Sequence, residues 1–254
     1  MRRTRTQRDG FSLIELLAVI AIIAILSGMT LGGISRVRLA AQRAQASADI
    51  NALSTGIGHF TSKYGVTYIP AGFSLESNYT DGGSNAGDAA YLKRVFPNIN
   101  LASTGLPDQA LSQNQALVFF LTGGTVTNYT GFSSNRQQPF TSGGTRVGPF
   151  IDIPASKLNA NGEFIDPWGT PYAYFTAVNG NDYAGSFTEP VNGTTVSPFS
   201  EGGRFIQQKS FQIISAGPNR KFGRGGDHRG ANSADYENGA VGGDDLTQSG
   251  NAAH

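Results

Sequence analysis

The N-terminal part of the chain carries two hydrophobic patterns in succession. From Phe11 to Leu26 almost every residue is apolar, and from Phe11 to Ser35 the only formal charge is that of Glu15. A run of about 20 apolar residues is long enough for a helix to cross a bilayer of about 30 Å. Residues 11–35 are therefore predicted to form a transmembrane helix.

The second pattern follows directly and has the period of an amphipathic helix. Apolar residues recur at steps of three and four, which places them on one face. Charged residues between them, Asp49 included, are assigned to the solvated face. Residues 36–64 are thus predicted to continue the helix, with one stripe against a globular domain that spans residues 65–254. The stripe consists of Ala46, Ile50, Leu53, Ile57, Phe60 and Tyr64.

Beyond residue 64 the chain reads as short elements separated by Gly, Asn, Ser and Pro. One short helix is predicted with Asp88 as its N-cap. A second is predicted to open with a capping box of Ser112 and Gln115 and to stop at Gly123. No motif assigns a role to residues 65–165.

Two later runs have strand composition, Tyr172–Val178 and Phe211–Ser215. They favour a small antiparallel sheet. The predicted fold class is therefore α+β, with a long N-terminal hydrophobic helix packed on that sheet.

Composition narrows the classes of function. The 254 residues include 34 Gly and 11 Pro, together about 18% of the chain. This fraction is below the roughly 25–30% that marks a low-complexity chain. The 19 basic and 18 acidic residues nearly balance, so nothing indicates a nucleic-acid partner. The chain has no cysteine, which excludes disulfides, thiolate nucleophiles and zinc–sulfur sites.

Charge at the front end predicts an orientation. Four arginines and one aspartate precede Gly10, and basic residues tend to stay on the cytoplasmic side of a membrane. A cleaved secretory signal would have a shorter apolar core and a small-residue cleavage site, whereas this run continues into polar helical sequence. An uncleaved signal anchor is the remaining simple alternative.

The stretch "GFSLIELLAVIAIIAIL", which begins at Gly10, resembles the signal of type IV prepilins and type II secretion pseudopilins. The resemblance implies that a prepilin peptidase cuts between Gly10 and Phe11, so that residues 1–10 are a leader, and then N-methylates Phe11. It also implies that Glu15 pairs with the terminal amine of a neighbouring subunit. Since an unpaired buried charge is costly, such a pair would set the register of a filament.

A second stretch, "DPWGTPY", is predicted to be a rigid turn that feeds an aromatic strand. It resembles a signature of major, G-type pseudopilins of type II secretion, and its predicted role is structural. The residues concerned are Asp166, Pro167, Trp168, Gly169, Pro171 and Tyr172.

A third stretch, "SAGPNRKFGRGGD" from Ser215 to Asp227, is rich in glycine and oxygen donors. Such a composition suits Ca²⁺. In major pseudopilins the corresponding loop binds calcium, and the resemblance implies a candidate calcium site at Asn219, Asp227, Asp244 and Asp245. A solvated Gly/Asp loop is the alternative, because Arg220 and Lys221 stand nearby.

Together these features predict a structural subunit of a type II secretion pseudopilus and no enzymatic activity. Its partners would be further copies of itself in a helical homopolymer, prepilin peptidase, minor pseudopilins, an inner-membrane assembly platform and membrane lipid. It would lie in a bacterial inner membrane, with the N-terminus cytoplasmic and the globular domain periplasmic. A type IV pilus subunit and a minor pseudopilin are the close alternatives.

A membrane-anchored hydrolase or binding protein is the contrasting class. The chain has three histidines and no H-E-x-x-H, G-x-S-x-G or glycine-rich phosphate loop. The adjacent Asp244 and Asp245 give no basis for a separated acid and base. A simple anchored enzyme would also have no use for Glu15.

Overall fold

A computed structural model of the chain describes residues 11–80, 85–124, 130–178, 183–184, 187–188, 193, 195–227, 246–247 and 250–251. Side chains are described throughout these ranges except at 29–33, 184, 246, 250 and 251. The predictions at Gly10, Asp244 and Asp245 lie outside the described residues. The chain divides into two compact units, Met1–Gln42 and Arg43–His254. The predicted functional boundaries after residues 10, 35 and 64 remain predictions.

The long N-terminal helix, α1, runs from Leu13 to Tyr64. Glycines at 28, 32 and 33 lower helix propensity by up to about 1 kcal/mol each relative to alanine, yet the helix continues through them. Glu15 lies in its first turn and Lys63 in its last, where each charge complements the helix dipole. Of the helices formed by the described residues, none has an apolar stretch with the length and hydropathy that spanning a bilayer requires.

Short elements make up the rest of the second unit. The helices are α2 (Ala86–Val95), α3 (Gln113–Thr122) and a 3₁₀ turn (Ala155–Lys157). The described strands are, in chain order, β1 (Phe73–Leu75), β2 (Gln109–Leu111), β3 (Phe132–Ser133), β4 (Arg146–Val147), β5 (Ala173–Ala177), β6 (Tyr183–Ala184), β7 (Phe187–Thr188), β8 (Thr195–Val196), β9 (Phe199–Glu201), β10 (Arg204–Phe205), β11 (Phe211–Ser215), β12 (Gly226–Asp227), β13 (Leu246–Thr247) and β14 (Gly250–Asn251).

The main sheet has the order β14-β13-β11-β5-β6, and every neighbouring pair in it is antiparallel. Its centre is the pairing of β5 with β11, in which Ile213 stands opposite Tyr174. These are the two strands predicted from sequence. The other sheets are small and antiparallel, apart from the parallel pair of β12 with β9. The predicted α+β class, a long N-terminal helix followed by small antiparallel sheets, is confirmed.

The predicted apolar stripe of α1 forms one wall of the core of the second unit. Five of its six side chains, from Ala46 to Phe60, are at most 3% exposed. The ring of Phe60 lies 5.3 Å from that of Phe150 and 5.7 Å from that of Phe120, on α3. Large apolar side chains therefore hold the second half of α1 to this unit, since burying each contributes about 1.5–3 kcal/mol.

Asp49 is a correction to the sequence prediction. It was assigned to the solvated face of the helix, but it is only 6% exposed. Its carboxylate forms an ion pair with Lys157 and accepts a hydrogen bond of 2.9 Å from the side chain of Gln45. Position 49 lies three residues after Ala46 and four before Leu53, so it belongs to the buried stripe by spacing.

The helix ends agree with the sequence at α3 and differ at α2. Ser112 and Gln115 form both hydrogen bonds of the predicted capping box, and Gly123 ends α3 in the left-handed conformation at φ 67°. The N-cap of α2, however, is Asn85. Asp88 lies inside the helix, and its carboxylate accepts the backbone N–H of Ser74 at 2.9 Å. The prediction of Asp88 as the cap is therefore wrong.

Candidate functional site

The start of α1 places Glu15 where a helix needs an acceptor. The backbone N–H of Ser12 donates to Glu15 Oε2 at 2.9 Å, which is one half of a capping box. Phe11 precedes the helix and its side chain is 79% exposed. Glu15 is also exposed. Within a single chain the carboxylate thus caps its own helix and stays accessible to a further partner.

Large apolar side chains of this first unit are exposed on all sides of the helix at the described positions from Leu13 to Val37. A helix that is hydrophobic on every side is normally buried in a protein or in lipid, and large exposed apolar patches mark interaction surfaces. Each of the following is at least 46% exposed: Leu13, Ile14, Leu16, Leu17, Val19, Ile20, Ile22, Ile23, Ile25, Leu26, Ile34 and Val37. This surface, the apolar surface of α1, needs a covering partner.

The DPWG stretch in the second unit is a tight turn built around a buried carboxylate. Asp166 Oδ1 accepts the backbone N–H of Trp168 at 3.0 Å and of Thr170 at 2.9 Å. Gly169 has φ 90°, a conformation that favours glycine. The other carboxylate oxygen, Oδ2, accepts the hydroxyl of Ser215 at 2.7 Å. The turn is thereby tied to the end of β11.

The environment of Asp166 has two opposite effects on the pKa of its carboxyl group. The side chain is 3% exposed, and burial raises the pKa of the Asp166 carboxyl above its usual range, against hydrogen bonds from Ser215, Thr170 and Trp168 that lower it. Desolvation, which disfavours the charged form, is the largest of these effects. These hydrogen bonds hold the turn in shape.

The rest of the motif fixes the following strand against α1. Tyr172 is fully buried and its ring stacks on Phe164 at 5.4 Å between centroids. Its hydroxyl points to Asp49 at a long 3.5 Å. Trp168 is 8% exposed and, with Pro167 and Gly169, lines a cavity of about 390 Å³ that Asp49 and Lys157 also reach. The structural role of the motif stays a prediction.

Sequence reasoning missed the contribution of Asp49 and Lys157 to this cluster. They lie 108 positions apart, and no local pattern joins them. The usable signal was the register of Asp49 on the apolar stripe of α1, because a carboxylate at a buried position needs a charged or hydrogen-bonding partner.

The calcium prediction is only partly covered by the described residues. Asn219 is exposed, and its side-chain oxygen accepts the backbone N–H of Lys221 at 2.7 Å. Asp227 lies in β12 and is half-buried, while Asp244 and Asp245 fall outside the described residues. Within the described part of the chain, no three His, Cys, Asp or Glu side chains come together as a metal site would require.

Comparison with known proteins bears on the N-terminal segment. A family model described as the prokaryotic N-terminal methylation motif matches residues 5–31. No curated protein and no solved structure matches the chain. The motif is typical of membrane-anchored pilins, which are structural proteins. It therefore supports a type IV pilin-like or pseudopilin class for this chain and indicates a substrate of prepilin peptidase that polymerises into a pilus-like assembly.

Proposed function

We propose that this chain is the major, G-type subunit of a type II secretion pseudopilus. The observation that carries the proposal is the apolar surface of α1, exposed on every side and with Glu15 in its first turn. After removal of residues 1–10 and methylation of Phe11, lipid would cover this surface in the stored subunit. In the filament, neighbouring copies of α1 would cover it.

The energetics are consistent with storage followed by assembly. A carboxylate at bilayer depth costs about 2.5–3.5 kcal/mol on insertion scales, whereas each buried Leu or Ile contributes about 1.5–3 kcal/mol. The many apolar residues of 11–35 therefore outweigh Glu15, and the subunit stays in the membrane. Pairing of Glu15 with the amine of a neighbouring Phe11 would relieve the remaining cost and favour one axial register.

The DPWG turn favours the secretion system over a surface pilus. Its resemblance to the G-type signature is independent of the signal at the N-terminus, and the buried hydrogen bonds of Asp166 explain why such a turn needs that residue. In this proposal the second unit lies in the periplasm, and the inner-membrane platform, minor pseudopilins and a cytoplasmic ATPase build the filament. A pilus subunit and a minor pseudopilin are the alternatives.

Two substitutions of Glu15 test this proposal. Glu15→Gln keeps an acceptor for the Ser12 N–H but removes the charge, whereas Glu15→Ala removes both. If charge pairing drives assembly, both variants are cleaved normally and both give at least about tenfold less sheared filament, because one ion pair per subunit is lost. Asp152→Ala, at an exposed carboxylate in the second unit, is the matched control.

The outcomes separate capping from pairing. Normal filaments from Glu15→Gln together with few from Glu15→Ala would show that only the cap matters, and normal filaments from both would remove the role of Glu15 in assembly. Deletion of the gene tests the secretion role, since retention of exported enzymes in the periplasm is expected. Loss of surface filaments with normal secretion would favour the pilus alternative.

A calcium ion is part of the same proposal. The four candidate residues all offer oxygen donors, which fits Ca²⁺, and a bound ion would stabilise the second unit by mass action, about 2.7 kcal/mol at a concentration of 100 times Kd. Chelation with EGTA is then expected to lower the melting temperature of the full chain, and Ca²⁺ but not Mg²⁺ to restore it. An unchanged melt after chelation would eliminate the site.

A further inference from the structure

A second cavity, of about 480 Å³, lies where α1 and α2 end, beside the segment that follows β3. Tyr64 and Phe96 line it, and Lys63, Asn98 and Arg136 also contribute. Its volume is within the range of about 300–1,000 Å³ that is usual for small-molecule sites. Apart from Tyr64, which ends the apolar stripe of α1, these residues belong to none of the motifs described above.

The aromatic wall of this cavity is held rigidly. The ring of Tyr64 lies 4.9 Å from that of Phe60, 5.2 Å from that of Phe96 and 5.8 Å from that of Phe150. Aromatic contacts at such distances fix the orientation of each ring. Burial raises the pKa of Tyr64 to about 12, and its protonated hydroxyl is a hydrogen-bond donor.

The polar part of the lining favours an anion. Lys63 and Arg136 are exposed, and neither forms an ion pair with any described residue. Among the described residues, none that lines the cavity carries a carboxylate. Asn135, also in the lining, uses its side-chain oxygen to accept the backbone N–H of Gln137 at 3.1 Å, which leaves its amino group as a donor. Cationic and neutral donors thus surround an apolar wall.

We propose that this cavity binds a small organic acid, with an apolar body of about the size of one aromatic ring against Tyr64 and Phe96. The carboxylate lies at Arg136 and Lys63. An arginine can bind a carboxylate through two parallel hydrogen bonds, and the amino group of Asn135 supplies a further donor. The neutral isostere of such an acid lacks the charge that Arg136 and Lys63 recognise.

Fluorine NMR on the full chain in non-ionic detergent tests the site, with micelles alone as the blank. The probes are para-fluorophenylacetate and its neutral amide, para-fluorophenylacetamide. We expect the acid to bind at least about tenfold more tightly than the amide, because hydrogen bonds from Arg136 and Lys63 to a charged carboxylate are stronger than those to a neutral amide. Arg136→Gln should weaken binding of the acid by at least about tenfold and leave binding of the amide unchanged.

Arg204→Gln is the matched control, since Arg204 is an exposed arginine in β10 that does not line the cavity. It should bind the acid as the unmodified chain does. Equal binding of acid and amide, binding of neither, or undiminished binding of the acid by the double variant Lys63→Gln, Arg136→Gln would each overturn the proposal. Because these variants leave α1 before residue 63 intact, filament assembly tests the proposed function separately.

Discussion

Gly10→Val is expected to leave the chain as an uncleaved precursor, with loss of essentially all filament assembly. The methylation motif spans this position, and the proposed cleavage falls after Gly10. Glycine has no Cβ, so a β-branched side chain here fills space that the peptidase would need for close approach to the backbone. Without cleavage there is no amine on Phe11 to pair with Glu15. The measurement is the intact mass of the membrane fraction, together with the yield of sheared filaments.

Gly58→Val is the matched control for this substitution. Gly58 lies on an exposed face of α1, and a Cβ placed there meets nothing within 4 Å. Valine is also a better helix former than glycine. This variant should be cleaved and assembled normally. Product of mature size from Gly10→Val would show that cleavage does not take place after Gly10.

Asp166→Ala is expected to destabilise the second unit by about 3 kcal/mol or more. It removes the acceptor of three buried donors, the backbone N–H groups of Trp168 and Thr170 and the hydroxyl of Ser215, and each buried donor left unsatisfied costs about 1–3 kcal/mol. A loss of this size lowers the melting temperature of a unit of about 200 residues by about 6–12 °C. Thermal unfolding of the detergent-solubilised chain, followed by circular dichroism, measures it.

Asp166→Asn is the companion variant, and it separates hydrogen bonding from charge. The amide oxygen can still accept from Trp168 and Thr170, and the Ser215 hydroxyl can rotate to accept from the amide. We therefore expect a loss of less than about 1 kcal/mol. A melting temperature for Asp166→Ala equal to that of Asp166→Asn would contradict the role assigned to this carboxylate.

The same carboxylate predicts a dependence of stability on pH. Because burial raises the pKa of Asp166 in the folded chain, the folded state binds this proton more tightly than the unfolded state. Protonation of Asp166 therefore stabilises the folded state fully at pH values below the unfolded-state pKa of about 3.9. This stabilisation is lost as the pH rises through the higher folded-state pKa. The difference in unfolding free energy between Asp166→Asn and the unmodified chain should change with pH over this window. A constant difference would contradict it.

Local patterns were sufficient to predict the long elements of the fold. The step of three and four along α1 correctly identified the buried face from Ala46 to Phe60, because helix period and burial are linked by geometry. The capping box at Ser112 also followed from sequence, since both of its hydrogen bonds lie within one turn. The two strand-like runs predicted from sequence, which form β5 and β11, proved to be the centre of the main sheet.

Features that depend on contacts between distant segments could not be predicted. The ion pair of Asp49 with Lys157 joins positions far apart in sequence. Asp88 was misassigned as a cap because its carboxylate accepts a hydrogen bond from Ser74, outside its own helix. No motif assigned a function to residues 65–165, yet they supply part of the cavity lined by Tyr64 and Phe96. Long-range side-chain pairing leaves little trace in local spacing.

Intact-mass and N-terminal peptide analysis of the protein purified from its native membrane tests the central claim most directly. We predict a chain that begins at Phe11 with an N-methyl group on its amine, lacking residues 1–10. That result would establish processing by prepilin peptidase and leave only the choice among filaments. A chain that retains Arg2–Gly10 would contradict the account, because Glu15 would then have no terminal amine to pair with and α1 would be an ordinary anchor.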